Sequence, residues 1–319
     1  MSTRTDPHRP MKILILGRNG QLAWALERRA APLGEVVSLG IDDFDFTDLT
    51  AVAACVEDVR PDVVFNAAAY TAVDRAEQDR EVAFKVNAEA PGVLARACAA
   101  RGAVIVHYST DYVFDGRKDG RYLESDPTGP LNVYGASKLA GEHETLAPGG
   151  PALVFRTSWV YGDHGGNFAK TMLKLACERD ALRVVGDQRG TPTWAGRLAD
   201  LSCHVVEQAL RAGDLAGWIG ARRGLYHASA AGETNWADYA RCVLATAAED
   251  PAWAQRLRVR AEAVEAIPSS AYPTPAARPM NSLLDCGALG RAFGYAMPDW
   301  RSDVVAFVRR LTAAGAAAG

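Results

Sequence analysis

The sequence predicts an α/β protein built on a doubly wound parallel sheet, followed by a smaller C-terminal α/β domain. Short β-branched runs alternate with amphipathic segments from Met11 onward, and each run is apolar throughout instead of alternating with polar residues. Parallel strands need crossover helices on both faces of the sheet, so they lose the polar face that a half-exposed strand keeps. The placement of glycine agrees: the first run, "KILILG", passes at once into a glycine-containing turn and then a helical pattern.

The elements follow in order. After the first strand, "GRNGQLAWAL" sets Gly17, Gly20 and Ala23 at three-residue spacing. The first glycine permits the tight turn, the second lets a pyrophosphate approach the backbone, and the third position takes a small residue for helix-to-strand packing. The positive end of the helix and its free amides suit an anionic phosphate. The sheet is therefore expected to be Rossmann-type, with the turn Gly17, Arg18, Asn19 and Gly20 as cofactor-binding candidates. "EVVSL" forms the second strand and "DFDFTD" follows it; "DVVFNAAA" forms the third and ends in Ala67, Ala68 and Ala69. Three small side chains let a flat nucleoside lie against the backbone, and they equally suit close packing of strand on helix. The acidic residues around Asp42 fit either a solvated loop or hydrogen bonds to an adenosine ribose.

"AVIVHYST" is the fourth strand and ends in Ser109 and Thr110. Next, "PLNVYGASK" begins a helix at Pro130 and Asn132 and places Tyr134 and Lys138 four residues apart, on one helix face. A phenol has a reference pKa of about 10 and is a poor acid-base group at neutral pH. A neighbouring ammonium favours the phenolate, which predicts that Lys138 brings Tyr134 closer to the working pH. Lys138 also reaches the ribose hydroxyls of a bound dinucleotide, while Ser109 and Thr110 offer hydroxyls to orient a carbonyl. This set of groups suits hydride transfer to a ketone. "ALVFRTSWV" is the fifth strand, and beyond Trp159 the rhythm loosens into helices "NFAKTMLKLACERD" and "GRLADLSCHVVEQALRAG", short strands "LRVVGD" and "GLYHAS", and a proline-rich stretch. The organisation expected is a disordered tail over 1–10, a dinucleotide-binding domain over 11–158 and a mainly substrate-binding domain over 159–319, with segments able to return to the first. The final "AAGAAAG" is expected to fray.

Composition excludes several classes. The net charge is −3 and the basic residues are scattered, which leaves no electrostatic footprint for nucleic acid. "MSTRTDPHRP" lacks the apolar core of a secretory signal, and no apolar run reaches membrane-spanning length, so a cytoplasmic protein is expected. The dispersed cysteines form no C-x-x-C pair and read as reduced core thiols. His107, His143, His164, His204 and His227 show no ligand spacing; they read as core or surface residues, and no metal is expected.

At these residues the chain resembles the extended short-chain dehydrogenase/reductase superfamily and, within it, the dTDP-4-dehydrorhamnose reductase family. The general motifs are the glycine turn and Y-x-x-x-K; "STDYVF", "RTSWVYG", "DQRGTPT" and "SAYPTPAARPMNS" are far more particular. The resemblance implies NADPH-dependent reduction of the C4 ketone of dTDP-4-dehydro-L-rhamnose to dTDP-L-rhamnose. Tyr134 would be the proton donor to the keto oxygen, Lys138 its tuner and ribose ligand, and Thr110 the hydroxyl that orients the substrate. Asp111 and Trp159 would contact the deoxyhexose. Gly20, Gln21, Leu22, Asp45, Phe46 and Ala67 to Ala69 would line the cofactor, with "DQRGTPT" and Arg278 at the nucleotide diphosphate end. Two positions depart from the pattern. Gly40 stands where some relatives end the second strand in an acid, and Ala25 replaces a glutamate that takes part in a metal-bridged dimer in some relatives, so the oligomeric state stays open. Arg18, placed to pair with a 2′-phosphate, and Gly40, which removes a repelling carboxylate, favour NADPH. Asp42 and Asp43 favour NADH, so the preference is expected to be modest.

Other readings share the scaffold. A dehydratase would carry a glutamate after the Thr-Asp pair, where this chain has Tyr112. An epimerase would hold its NAD through turnover, and a non-catalytic regulatory subunit would not need Trp159 and "STDYVF".

Overall fold

The computed structural model describes residues 10–316; the expected N-terminal tail through residue 9, and residues 317–319 of the expected frayed end, lie outside them. Six parallel strands form the central sheet: β1 (Lys12–Leu16), β2 (Glu35–Leu39), β3 (Val63–Asn66), β4 (Val104–Thr110), β5 (Ala152–Thr157) and β6 (Gly224–His227), in the spatial order β2-β1-β3-β4-β5-β6. The principal helices are α1 (Gln21–Ala30), α2 (Leu49–Val59), α3 (Ala90–Arg101), α4 (Val133–Leu146), α5 (Phe168–Glu178), α6 (Ala195–Arg211), α7 (Trp236–Ala247) and α8 (Trp300–Ala316).

Successive side chains of a strand point to opposite faces, and here both faces are buried. Ile13, Ile15, Phe65, Val106 and Phe155 pack with α1 and α6 on one side. Leu14, Leu16, Val64 and Ile105 pack with α2 and α3 on the other. This double burial explains why the strands read as uninterrupted apolar runs. A second core joins α5, α7 and α8 through Leu173, Tyr239, Val243 and Phe307, beside a parallel pair made by Leu182–Val185 and Val264–Ile267.

"GLYHAS", read in sequence as part of the C-terminal domain, supplies β6 and joins the central sheet beside β5, with Leu225 opposite Val154. The preceding helix accounts for it. α6 buries Leu198, Leu201 and Val205 in the core that it shares with α1, which returns the chain to the sheet before β6 begins.

The strand order turns around at β1: β2 lies on one side and β3 on the other, which opens a crevice beyond the C-terminal ends of β1 and β3. Register places the ends of the strands at one edge, with Leu16 beside Asn66, Asn66 beside His107, and Thr110 beside Thr157. α4 starts where the sequence predicts: Asn132 is its N-cap, and the Asn132 side-chain oxygen accepts from the Gly135 N–H at 2.8 Å. Gly141 lets α4 approach a wide, π-type turn at Lys85–Glu89, because a Cβ at that position would collide with the carbonyl oxygen of Asn87.

Candidate active site

The crevice is a cleft of about 800 Å³ at the C-terminal edge of the sheet. At its β1 end, Gly17 has φ +95°, and a Cβ there would meet the backbone of Ala67 and Ala68 within 3 Å. Only glycine lets the first turn lie this close to the end of β3. Gly20 caps α1 without a side-chain hydrogen bond, and the first turn of α1 holds no acidic residue. Its amides are therefore available to an anion. Asn19, Gly20, Gln21 and Leu22 line this end, and Ala67, Ala68 and Ala69 form the floor opposite.

Asp45 and Phe46 line the same half. Backbone and side-chain hydrogen bonds from Thr47 hold the Asp45 carboxyl below its ordinary range. Arg18 stands beside the cleft and not in its wall, with Nη2 3.1 Å from Asp43 and 3.8 Å from Asp42. Asp43 also accepts from the Gly40 N–H at 2.7 Å. Gly40 has a packing reason of its own, since a Cβ there would strike the side chain of Asn19. Ile41, Val82 and Val86 complete the apolar rim. Ile41 is 71% exposed, an apolar side chain left open beside the cleft, which the local sequence does not single out.

At the other end, Thr110, Asp111, Tyr134 and Lys138 converge. The Thr110 hydroxyl lies 3.1 Å from Asp111 Oδ1. Burial pushes Asp111 up to about 7, against hydrogen bonds from Ser282 and Thr110 that pull it down. Burial also pushes Tyr134 up to about 12, opposed by its hydrogen bond with Thr110 and reinforced by the Asp111 charge. The expectation that Lys138 draws the phenol toward neutrality is thus corrected: loss of hydration dominates, the hydrogen bond from Thr110 is what opposes it, and Tyr134 is held as the neutral phenol. Lys138 itself is brought down to about 8 by burial, with Glu142 pulling the other way.

Ser109 is a second correction. Its hydroxyl donates to Glu142 Oε1 at 2.6 Å, and Glu142 is held by Arg156 through two further bonds of 2.8 and 2.7 Å. A hydroxyl committed to a buried carboxylate is not free to orient a carbonyl.

Trp159 takes the left-handed backbone region, φ +48°, and its ring stacks on Trp236 at 3.7 Å between centroids. Both indoles line the cleft. Trp236 opens α7, far along the chain, and no motif in the sequence singles it out. Tyr112 meets Tyr134 edge-on at 5.6 Å. Arg278 forms a two-pronged pair with Asp74 at 3.0 and 2.8 Å, tying the proline-rich stretch to the segment after β3. Among the described residues there is no cluster of His, Cys, Asp and Glu able to hold a metal ion, and no helix is long and apolar enough to cross a membrane.

Residues 11–313 match the family model described as the RmlD substrate binding domain. The dTDP-4-dehydrorhamnose reductase of Burkholderia thailandensis is 48% identical over 301 residues, covering 94% of this chain and 99% of that protein. The crystal structure of a dTDP-4-dehydrorhamnose reductase from Clostridium acetobutylicum superposes with a TM-score of 0.82 at 35% identity, covering 94% of this chain and 99% of that one. That of Bacillus anthracis, in complex with NADP, has a TM-score of 0.82 at 31% identity and the same coverage.

Proposed function

The chain belongs to the RmlD substrate binding domain family, and from that premise we propose that it reduces the C4 ketone of dTDP-4-dehydro-L-rhamnose to the hydroxyl of dTDP-L-rhamnose, with NADPH as the reductant. The observation that carries this reading is one cleft in which an uncapped helix start, a floor of small residues and a Thr110–Tyr134–Lys138 cluster face the same space. The donor set fits a dinucleotide: free amides for the pyrophosphate at Gln21 and Leu22, behind a Gly20 whose own N–H is turned back to the Gly17 carbonyl at 2.8 Å, small side chains at Ala67 to Ala69 for the flat rings, and Asp45 and Phe46 at the adenosine end. NADPH supplies the hydride when bound.

The remaining work falls to the chain. Tyr134 donates the proton that the C4 oxygen takes up, and burial suits it by keeping the phenol protonated at neutral pH. Thr110 holds the carbonyl oxygen against Tyr134, while Asp111 and the Trp159 indole hold the sugar. Lys138 binds the ribose and places a positive charge where Tyr134 turns anionic as it gives up its proton. Arg18, paired with Asp43, is shared between that carboxylate and a 2′-phosphate, so discrimination between NADPH and NADH is moderate. We place the cofactor domain at 11–158 with α6 and β6 returning to it, the substrate domain in the rest of 159–319, and the enzyme in the cytoplasm. Elimination lacks its acid, since Tyr112 occupies the position from which a carboxyl would act.

The test is turnover. The chain is mixed with NADPH and dTDP-4-dehydro-L-rhamnose made by an upstream dehydratase and epimerase, and absorbance of the reduced nicotinamide is followed. Ketosugar-dependent consumption is expected, and its absence would refute the reading.

A further inference from the structure

His107 is a buried titratable group for which the chemistry above has no use. It lies on β4 beside Asn66 of β3, and both side chains are all but inaccessible to solvent. Its ring joins Asn66 at the end of β3 to Lys138 of the cleft wall: Nδ1 is 3.1 Å from the Asn66 side-chain amide, and Nε2 is 3.3 Å from Lys138 Nζ. Lys138 is 2% exposed, so water does not solvate its ammonium.

Donor and acceptor chemistry settles the arrangement. An ammonium has three donors and no acceptor. Were Nε2 protonated, two N–H groups would face each other, so Nε2 must present its lone pair and Nδ1 must carry the proton. That proton needs an acceptor. With its nitrogen toward the ring, the Asn66 amide leaves Oδ1 buried without a hydrogen-bond partner; turned over, the oxygen accepts from Nδ1–H, and the two amide orientations have nearly the same shape. Burial first, and the Lys138 charge second, hold His107 well below its ordinary range, so the ring stays neutral and its lone pair stays available.

We propose that His107 is the positioning residue of Lys138: fixed as the Nδ1–H tautomer by the Asn66 oxygen, it offers Nε2 as the acceptor that holds the buried ammonium one helical turn from Tyr134. Of the other titratable groups nearby, Glu142 on its own helix acts on this ammonium, and Tyr134 on the same helix and Asp111 beyond β4 line the same cleft. Arg156 of β5 is bound to Glu142. On the elements packed against α4, Lys85 pairs with exposed Glu81, Glu89 is exposed, and Arg96 pairs with Glu144 at the surface. The hydrogen-bond partner the structure gives Lys138 Nζ is His107 Nε2, at 3.3 Å. Loss of the acceptor would raise the cost of the buried charge, so Lys138 would give up its proton at lower pH.

The inference rests on the reductase reading, and the experiment separates the two, because wild-type turnover tests the reading whereas the tautomer is measured with no substrate present. Nitrogen-15 NMR of the histidine-labelled full chain should find His107 protonated on Nδ1. His107→Leu, which keeps bulk and removes the acceptor, should lower kcat by about tenfold or more and move the alkaline limb of the kcat–pH profile down by about one pH unit. His107→Gln, which keeps an acceptor near the Nε2 position, should retain most of kcat and the wild-type limb. A purely packing role would lower the melting temperature of both variants without moving the limb. The inference is overturned by a proton on Nε2, by a wild-type limb in His107→Leu, or by a limb in His107→Gln displaced as far as that of His107→Leu.

Discussion

At the scale of single residues, the site is governed by what burial does to charge. Tyr134 is the clearest case, since the desolvation that keeps its phenol protonated also makes it a weaker acid, which the positive charge of Lys138 has to offset as the proton leaves. Tyr134→Phe keeps the ring and removes the proton, so kcat should fall by roughly a hundred- to ten-thousand-fold while NADPH affinity, read by fluorescence quenching, stays near wild type. A variant keeping more than a tenth of the rate would remove Tyr134 from the role of acid. Asp111 shows the cost of the arrangement. Its folded-state pKa, about 7, stands above its ordinary 3.8. Its stabilising contribution is therefore full below the ordinary value and is lost as pH rises toward 7, where the buried carboxyl must ionise. Asp111→Asn should be more stable than wild type at pH 8, by an amount on the order of a few kcal/mol, and should lose that advantage near pH 4; denaturant melts at the two pH values read it. The same substitution should weaken sugar binding, a trade common at functional sites. Tyr134 and Lys138 were legible in the sequence because an i, i+4 pair declares a shared helix face. His107 was not, because its two partners lie 41 and 31 positions away and only strand register and the docking of α4 bring them to the ring.

At the scale of elements, α4 is the part that must be held in place. Tyr134, Lys138 and Glu142 follow one another at four-residue intervals along a single face, and the last is anchored to the sheet by Arg156 and Ser109. Removing one partner of a buried pair leaves the other charge uncompensated, so Glu142→Gln should cost about 3–5 kcal/mol in chemical denaturation and lower activity with it. The double variant Glu142→Leu/Arg156→Leu should recover much of the stability, because neither charge remains to be buried. Recovery of stability without recovery of rate would show that the pair orients α4. The first five strands and the start of α4 were legible because apolar runs, turns and caps are local signals. The assignment of Ser109 to the carbonyl failed for the opposite reason. A hydroxyl at a strand end is the same in sequence whether it faces the cleft or a carboxylate 33 residues later.

At the scale of the whole molecule, the cleft is closed by residues that local patterns do not connect. Trp159 follows β5 directly, Trp236 opens α7, and their rings meet at 3.7 Å. Trp236→Ala removes the support behind Trp159 and should raise KM for the nucleotide sugar by about tenfold, with the dissociation constant of NADPH nearly unchanged; parallel losses in both would show that the stack serves only packing. The return of "GLYHAS" to the central sheet was likewise illegible, since a short strand does not reveal which sheet it will join. The central claim is that hydride reaches C4 of a nucleotide-linked ketosugar while Tyr134 supplies the proton. The most direct measurement uses NADPH carrying deuterium at the transferable position and follows the nucleotide-sugar product by NMR. The account predicts deuterium at C4 of dTDP-L-rhamnose, one per cofactor oxidised, with the yield collapsing in Tyr134→Phe; oxidised cofactor without deuterium at C4, or full labelling by Tyr134→Phe, would contradict it.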